Sequence, residues 1–230
     1  MSPRAWIAGV RGYPVVVVSY PGAQEYLPET REVPALAAAA RACRGCDLYK
    51  AADRTVFGAG PESARLLLVG EQPGDQEDRA GEPFVGPAGY LLDKALEQAG
   101  VDRGSVYVTN AVKHFRFDRS ANGKRRIHKK PSGGQIAACR PWLLAELEAI
   151  RPEVVVCLGA SAAQALLGNG FRLTEHRGEV LRLPDEIRGG HDPSVVVTIH
   201  PSAVLRARSD RDDALRSLVG DLRRAARSGQ

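Results

Sequence analysis

Three groups of side chains in this sequence have the types and spacing to do chemistry. The first is a set of four cysteines, Cys43, Cys46, Cys139 and Cys157, which are all the cysteines of the chain. Cys43-x2-Cys46 is a turn with both thiols on one side, and four thiols can close a zinc site or hold an iron–sulfur cluster. The wide separation of Cys139 and Cys157 is unlike the paired motif of a zinc ribbon, and buried unligated thiols are the remaining reading. The second group is Gly70-Glu71-Gln72-Pro73-Gly74-Asp75, a tight turn that offers backbone N–H groups to an anion or a base edge, or else an ordinary strand-to-helix turn. Neither it nor Gly58-Ala59-Gly60 supplies G-x-G-x-x-G, so dinucleotide binding is disfavoured. The third is a pair of histidines. His200 directly follows an apolar run and precedes Pro201-Ser202, where it is either a site residue or a buried structural one, and His128 sits inside Lys124-Arg125-Arg126-Ile127-His128-Lys129-Lys130.

The surroundings of His128 concentrate the charge of the molecule. Residues 113–130 hold eight Lys or Arg and one acid, Asp118, a charge of +7 in a chain of net +5, so the rest of the chain sums to −2. Such local basicity suits a polyanion, nucleic acid in particular, although a solvated loop with an incidental histidine has the same composition. Residues 123–131 lack an apolar period and lie between Asn122-Gly123 and Pro131-Ser132-Gly133-Gly134, which predicts a loop.

The elements that must position these groups alternate. Apolar runs predict strands over 65–70, 105–109, 153–158 and 194–199, and helical periodicity predicts helices over 36–42, 88–99, 134–150, 160–167 and 210–226. This order predicts an α/β fold, a parallel sheet with right-handed crossovers and helices on both faces. In such sheets ligands bind beyond the carboxyl ends of the strands. The turn after residue 70, Asn110 with the basic stretch behind it, and His200 all fall at such ends.

Length and composition are consistent with one globular domain. The chain has 230 residues, 43% hydrophobic and 26% charged, with no run long enough to span a membrane and no recognisable export signal, so a cytoplasmic protein that does not engage membranes is expected. A single domain over 23–230 is expected, preceded by an unassigned extension over 1–22 that holds one strand-like patch.

Several of these motifs, in order, resemble the uracil-DNA glycosylase superfamily, in particular its iron–sulfur type, family 4. They are residues 70–78 (GEQPGDQED), 83–89 (PFVGPAG), 108–113 (VTNAVK), the four cysteines and 200–206 (HPSAVLR). The stretch Lys124-Arg125-Arg126-Ile127-His128 resembles the loop that marks the UdgX branch, whose members become covalently attached to uracil-containing DNA and which ordinary family 4 enzymes lack. The resemblance implies a three-layer α/β/α sandwich around a central four-stranded parallel sheet, with a [4Fe–4S] cluster on Cys43, Cys46, Cys139 and Cys157. It implies a monomeric DNA repair enzyme that acts on uracil-containing DNA, preferably single-stranded, and releases uracil. Gln72, Asp75, Glu77, Phe84 and Asn110 are the implied uracil-binding residues, with Phe84 as stacking platform, Asn110 as reader of the base edge and Glu77 crowding C5 against thymine. His200 is implied to stabilise the departing base, while Ser202, Arg206, Lys124, Arg125 and Arg126 hold DNA. Glu71 and His128 complete the catalytic set: with a carboxylate to take its proton, the imidazole attacks C1′ and forms an adduct that ends the reaction after one turnover. The alternatives are an ordinary multiple-turnover family 4 glycosylase that releases free abasic DNA and a non-catalytic DNA-binding module.

Overall fold

The computed structural model describes residues 6–8, 14–16, 19–188 and 190–229. Strands β1 (Trp6–Ala8) and β2 (Pro14–Val16) pair antiparallel in a small sheet of their own. The expected patch within the extension falls here, and most of the remaining residues of that segment lie outside the described ones. Gly22 N donates to Gly45 O and Ala23 N to Ala138 O, which ties this stretch to the cysteine turn and to the helix that carries Cys139.

Helix α1 (Val33–Ala40) leads into the first two cysteines. Then follow β3 (Leu66–Gly70), α2 (Asp75–Ala80), α3 (Pro87–Ala99), β4 (Val106–Asn110), β5 (Phe117–Arg119), β6 (Arg126–His128) and α4 (Gly133–Ile150). The second half contains β7 (Val154–Leu158), α5 (Ala160–Leu167), α6 (Leu173–His176), β8 (Val180–Arg182), α7 (Asp185–Arg188), β9 (Ser194–Thr198), α8 (Pro201–Arg206) and α9 (Arg211–Ser228). The main sheet has the order β4-β3-β7-β9-β8. Its first four strands are parallel, and every residue of β3, β4 and β7 is buried, which is why these strands read as unbroken apolar runs.

Alternation along the strands builds two cores. Leu67, Val69, Val155 and Cys157 face α1, α4 and α5, where Leu36, Trp142, Leu143 and Leu166 cover them. Leu66, Leu68, Val154, Val156 and Leu158 face α3, α8 and α9, covered by Leu92, Leu96, Val204, Leu218 and Leu222. Three α/β/α layers result, as expected.

The expected four-stranded sheet is corrected to five strands. β8 adds to the edge antiparallel to β9, with Val180 opposite Val196 and Arg182 opposite Ser194. Its outer residues Val180 and Arg182 are exposed, so it gave no buried run to recognise. The loop expected over 123–131 is corrected as well. β5 and β6 form an antiparallel hairpin with Phe117 opposite His128 and Arg119 opposite Arg126, so His128 stands on a strand at the root of a ribbon.

Candidate functional site

The carboxyl ends of β3, β4, β7 and β9 deliver Glu71, Asn110, Ser161 and His200 to one edge of the sheet. Gly70 and Asn110 are register partners. A Cβ on Gly70 would lie 2.3 Å from Asn110 Oδ1 and 2.8 Å from Phe84 Cζ, so the bare backbone at this point is what lets the amide and the ring sit side by side. Phe84 has φ 58°, a conformation that favours glycine and costs other residues about 1–3 kcal/mol. It is held there from two sides: Gly89 fits against its carbonyl where a Cβ would be 1.7 Å away, and Glu77 accepts from Gly86 N at 2.8 Å and Gly74 N at 3.0 Å. Asn110 is 3% exposed, and its carbonyl accepts from Lys113 Nζ at 2.8 Å. That ammonium is buried against Glu146, which also receives Tyr107 and Thr109. This buried network beneath Asn110 was not foreseen, because a lysine in a basic stretch gives no sign that it points inward.

Phe84, Asn110, Glu77, Asp75, His128, His200, Ser202 and Arg206 line one cleft of about 530 Å³. The rings of Phe84 and His200 are near-parallel, at 25°, with centroids 6.3 Å apart. His200 caps α8, its Nδ1 accepting from Ser202 N at 3.1 Å. A neutral ring that accepts at Nδ1 carries its proton on Nε2 and donates there. Burial first, then Arg206 and His128, push the pKa of His200 down to about 4, so the ring is neutral at pH 7.

His128 Nε2 lies 3.7 Å from Glu71 Oε1, and Glu71 Oε2 accepts from Ser161 Oγ of α5. Burial lowers the pKa of His128 against the opposing pull of Glu71. Gln72, expected to bind uracil, staples the hairpin with its side chain: Oε1 accepts from Arg116 N at 3.1 Å, while Nε2 lies 3.1 Å from both Arg116 O and Lys129 O and 3.0 Å from His128 Nε2. Its side-chain amide is engaged by the hairpin, and Gln72 also lines the cleft. A second chamber of about 690 Å³ adjoins the cleft and shares His128, His200, Ser202 and Arg206 with it.

The basic stretch divides into structural and exposed members. Arg126, expected on DNA, is corrected: its guanidinium meets Asp75, Asp78 at 2.6 Å and Asp53 at 3.0 Å, and it lies over the rings of Phe115 and Phe117. Its side chain is 7% exposed, which removes it from reach of a phosphate and makes it the bolt between β6 and α2. Asp75, on the wall of the cleft, is paired with Arg126 and Arg79. Lys124 and Arg125 remain exposed at the ribbon's turn and form no ion pair among the described residues. Leu205, unremarked in the sequence, is an exposed apolar side chain on the cleft wall.

Cys43, Cys46 and Cys139 line one small cavity together with His114, Lys113, Gly45, Ala138 and Trp142. Three thiols and an imidazole are a donor set suited to a soft metal group. Cys157 is corrected: it does not line this cavity but sits in β7 between Val69 and Val197, fully buried in the sheet core.

Residues 57–223 match the model of the uracil DNA glycosylase superfamily. The chain is 40% identical to the type-4 uracil-DNA glycosylase of Archaeoglobus fulgidus over 71% of this chain and 78% of that protein. It is 37% identical to the type-4 enzyme of Thermotoga maritima, over 80% and 87%, and 36% identical to that of Pyrobaculum aerophilum, over 77% and 86%. With its mostly parallel sheet, its cleft at the strand ends and these relatives, the chain belongs to the uracil DNA glycosylase superfamily.

Proposed function

We propose that this protein excises uracil from DNA during repair and that His128 then captures the sugar, leaving protein and DNA joined. The observation that carries this reading is the meeting, in one base-sized cleft, of Phe84, Asn110 and His200 with a histidine that has a carboxylate beside it. A base taken out of the stack needs an aromatic face and a reader for its edge. Phe84 supplies the face, and the Asn110 amide pairs with O4 and N3–H of uracil, where cytosine presents the opposite pattern. Leu205 at the rim acts as the wedge that fills the vacated stack.

As the C1′–N1 bond breaks, its electron pair leaves with uracil, and the neutral His200 donates Nε2–H to O2, where charge builds. His128 Nε2 bonds to C1′ as its proton passes to Glu71, which Ser161 holds in place. The N-alkyl imidazole so formed is a poor leaving group, and the protein stops after one turnover. Lys124, Arg125 and Arg206 provide phosphate contacts, and Ser202 orients the loop at the cleft wall.

We propose also that an iron–sulfur cluster is bound by the thiols of Cys43, Cys46 and Cys139, joining the 43–46 turn to α4. Its contribution is structural, and no step of base excision uses it. The protein acts as a monomer on single-stranded DNA by preference. Among the described residues no helix is long and apolar enough to cross a membrane.

The test is denaturing electrophoresis of the protein mixed with uracil-containing single-stranded DNA, followed by tandem mass spectrometry of the nuclease-trimmed product. A band that survives heat and detergent, with a deoxyribose mass on His128, is expected. His128→Ser should lose the band and release uracil with turnover. A mass on any other residue, or an adduct formed by His128→Ser, would overturn the capture step, and absence of free uracil would overturn the excision.

A further inference from the structure

We infer that the fourth protein ligand of the proposed cluster is His114, completing a set with Cys43, Cys46 and Cys139, and that Cys157 is a core thiol with no ligand role. The inference rests on the cluster reading above and concerns which residues hold it.

The first observation is placement. His114 and the three thiols share the walls of one cavity, while Cys157 is absent from it and paired within β7. The segment bearing His114 leans on the cavity directly, since Lys113 N donates to Cys139 Sγ at 3.2 Å. The second observation is the state of the imidazole. Thr55 Oγ1 donates to Ala40 O at 3.3 Å and lies 2.9 Å from His114 Nε2. With its single proton directed to Ala40, Thr55 accepts from Nε2–H, which leaves the lone pair on Nδ1. A ligand histidine held by a hydrogen bond to its other nitrogen is the usual arrangement at a metal site. No hydrogen bond among the described residues engages Nδ1, and His114 is 6% exposed. The third observation is an orphan. Trp142, in the same wall and fully buried, has its indole Nε1–H without a partner. Buried donors are rarely left so, and a sulfide-bearing group in the cavity supplies an acceptor.

Histidine in place of a thiolate removes one negative charge from the cluster's surroundings, which raises its reduction potential, as it does when histidines replace cysteines on a two-iron centre.

The experiment compares anaerobically purified wild type with Cys157→Val, His114→Ala and His114→Cys. Iron and sulfide per chain are measured, along with pulsed electron paramagnetic resonance of samples grown on 15N-histidine and redox titration. Wild type and Cys157→Val should carry equal iron and show the coupling of a directly bound histidine nitrogen. His114→Ala should lose iron, whereas His114→Cys should keep it, lose the nitrogen coupling and titrate at a lower potential. Circular dichroism establishes that each variant is folded. Loss of iron from folded Cys157→Val, or a wild-type cluster without nitrogen coupling, would overturn the assignment of His114 alone. Wild type without iron would instead remove the cluster reading, and this inference with it.

Discussion

Glu71 stands between Ser161 and His128, accepting a hydrogen bond at one carboxylate oxygen and facing the imidazole Nε2 from the other at 3.7 Å. The serine fixes the carboxylate from a different helix than the one that follows Glu71, so the carboxylate is positioned independently of the ribbon carrying His128. Glu71→Gln keeps the shape and removes the proton acceptor, and single-turnover adduct formation should slow about 100-fold. Ser161→Ala should give a smaller slowing, and binding of uracil-containing DNA should persist in both. Unchanged adduct rates in Glu71→Gln would show that the proton leaves by another route.

The pH dependence follows from the two histidines. His128 has a pKa below its ordinary value of about 6.5 because burial disfavours the cation. In the proposed capture only the neutral ring attacks, so the adduct rate should rise with pH through that lowered pKa and be level at pH 7 and above. His200, with its pKa down at about 4, stays neutral across this range. In His128→Ser, uracil release should therefore hold down to lower pH than adduct formation does in wild type. Stopped-quench assays from pH 4.5 to 8 check both curves.

Removing Arg126 should separate capture from excision. Arg126→Met leaves Asp78, which is fully buried, with only the backbone N–H groups of Asp53 and Arg54 as hydrogen-bond partners. Breaking a buried ion pair from one side costs about 3 kcal/mol, which denaturant unfolding would read. Adduct formation should fall steeply as β6 loosens, while uracil release, which the proposed mechanism places on Phe84, Asn110 and His200, should survive at assay temperature.

Salt dependence should identify the exposed basic residues. If Lys124 and Arg125 each neutralise a phosphate, changing both to Gln should reduce the slope of log K against log salt on single strands by about 1.4. Arg126→Met should leave that slope unchanged. Fluorescence anisotropy across a salt series distinguishes the two.

The sequence made the buried parallel strands legible because β3, β4 and β7 bury every residue and so read as continuous apolar runs. Because strand ends fix the site, Asn110 at the end of β4 and His200 just after β9, four of whose five residues are buried, were readable along with them. The hairpin was not, since Phe117–Arg119 and Arg126–His128 are three-residue strands in which charges interrupt any alternation. Arg126 was misread for a related reason: a guanidinium seeking phosphate and one bolted to carboxylates look alike, and its partners lie 48 to 73 residues away. Cys157 was misread because a thiol in a strand and a thiol at a cavity differ only in which way the backbone turns them.

The ribbon leaves the domain and returns to it at nearly the same place, with Gln72 bonded to the backbone at both of its feet. Closing a longer loop between fixed ends is inexpensive, since each doubling of length adds only about 0.6 kcal/mol of entropy. The chain can therefore acquire or discard this segment without disturbing the sheet, and under the proposed capture by His128 the choice between releasing an abasic site and guarding it covalently reduces to an insertion at one surface turn.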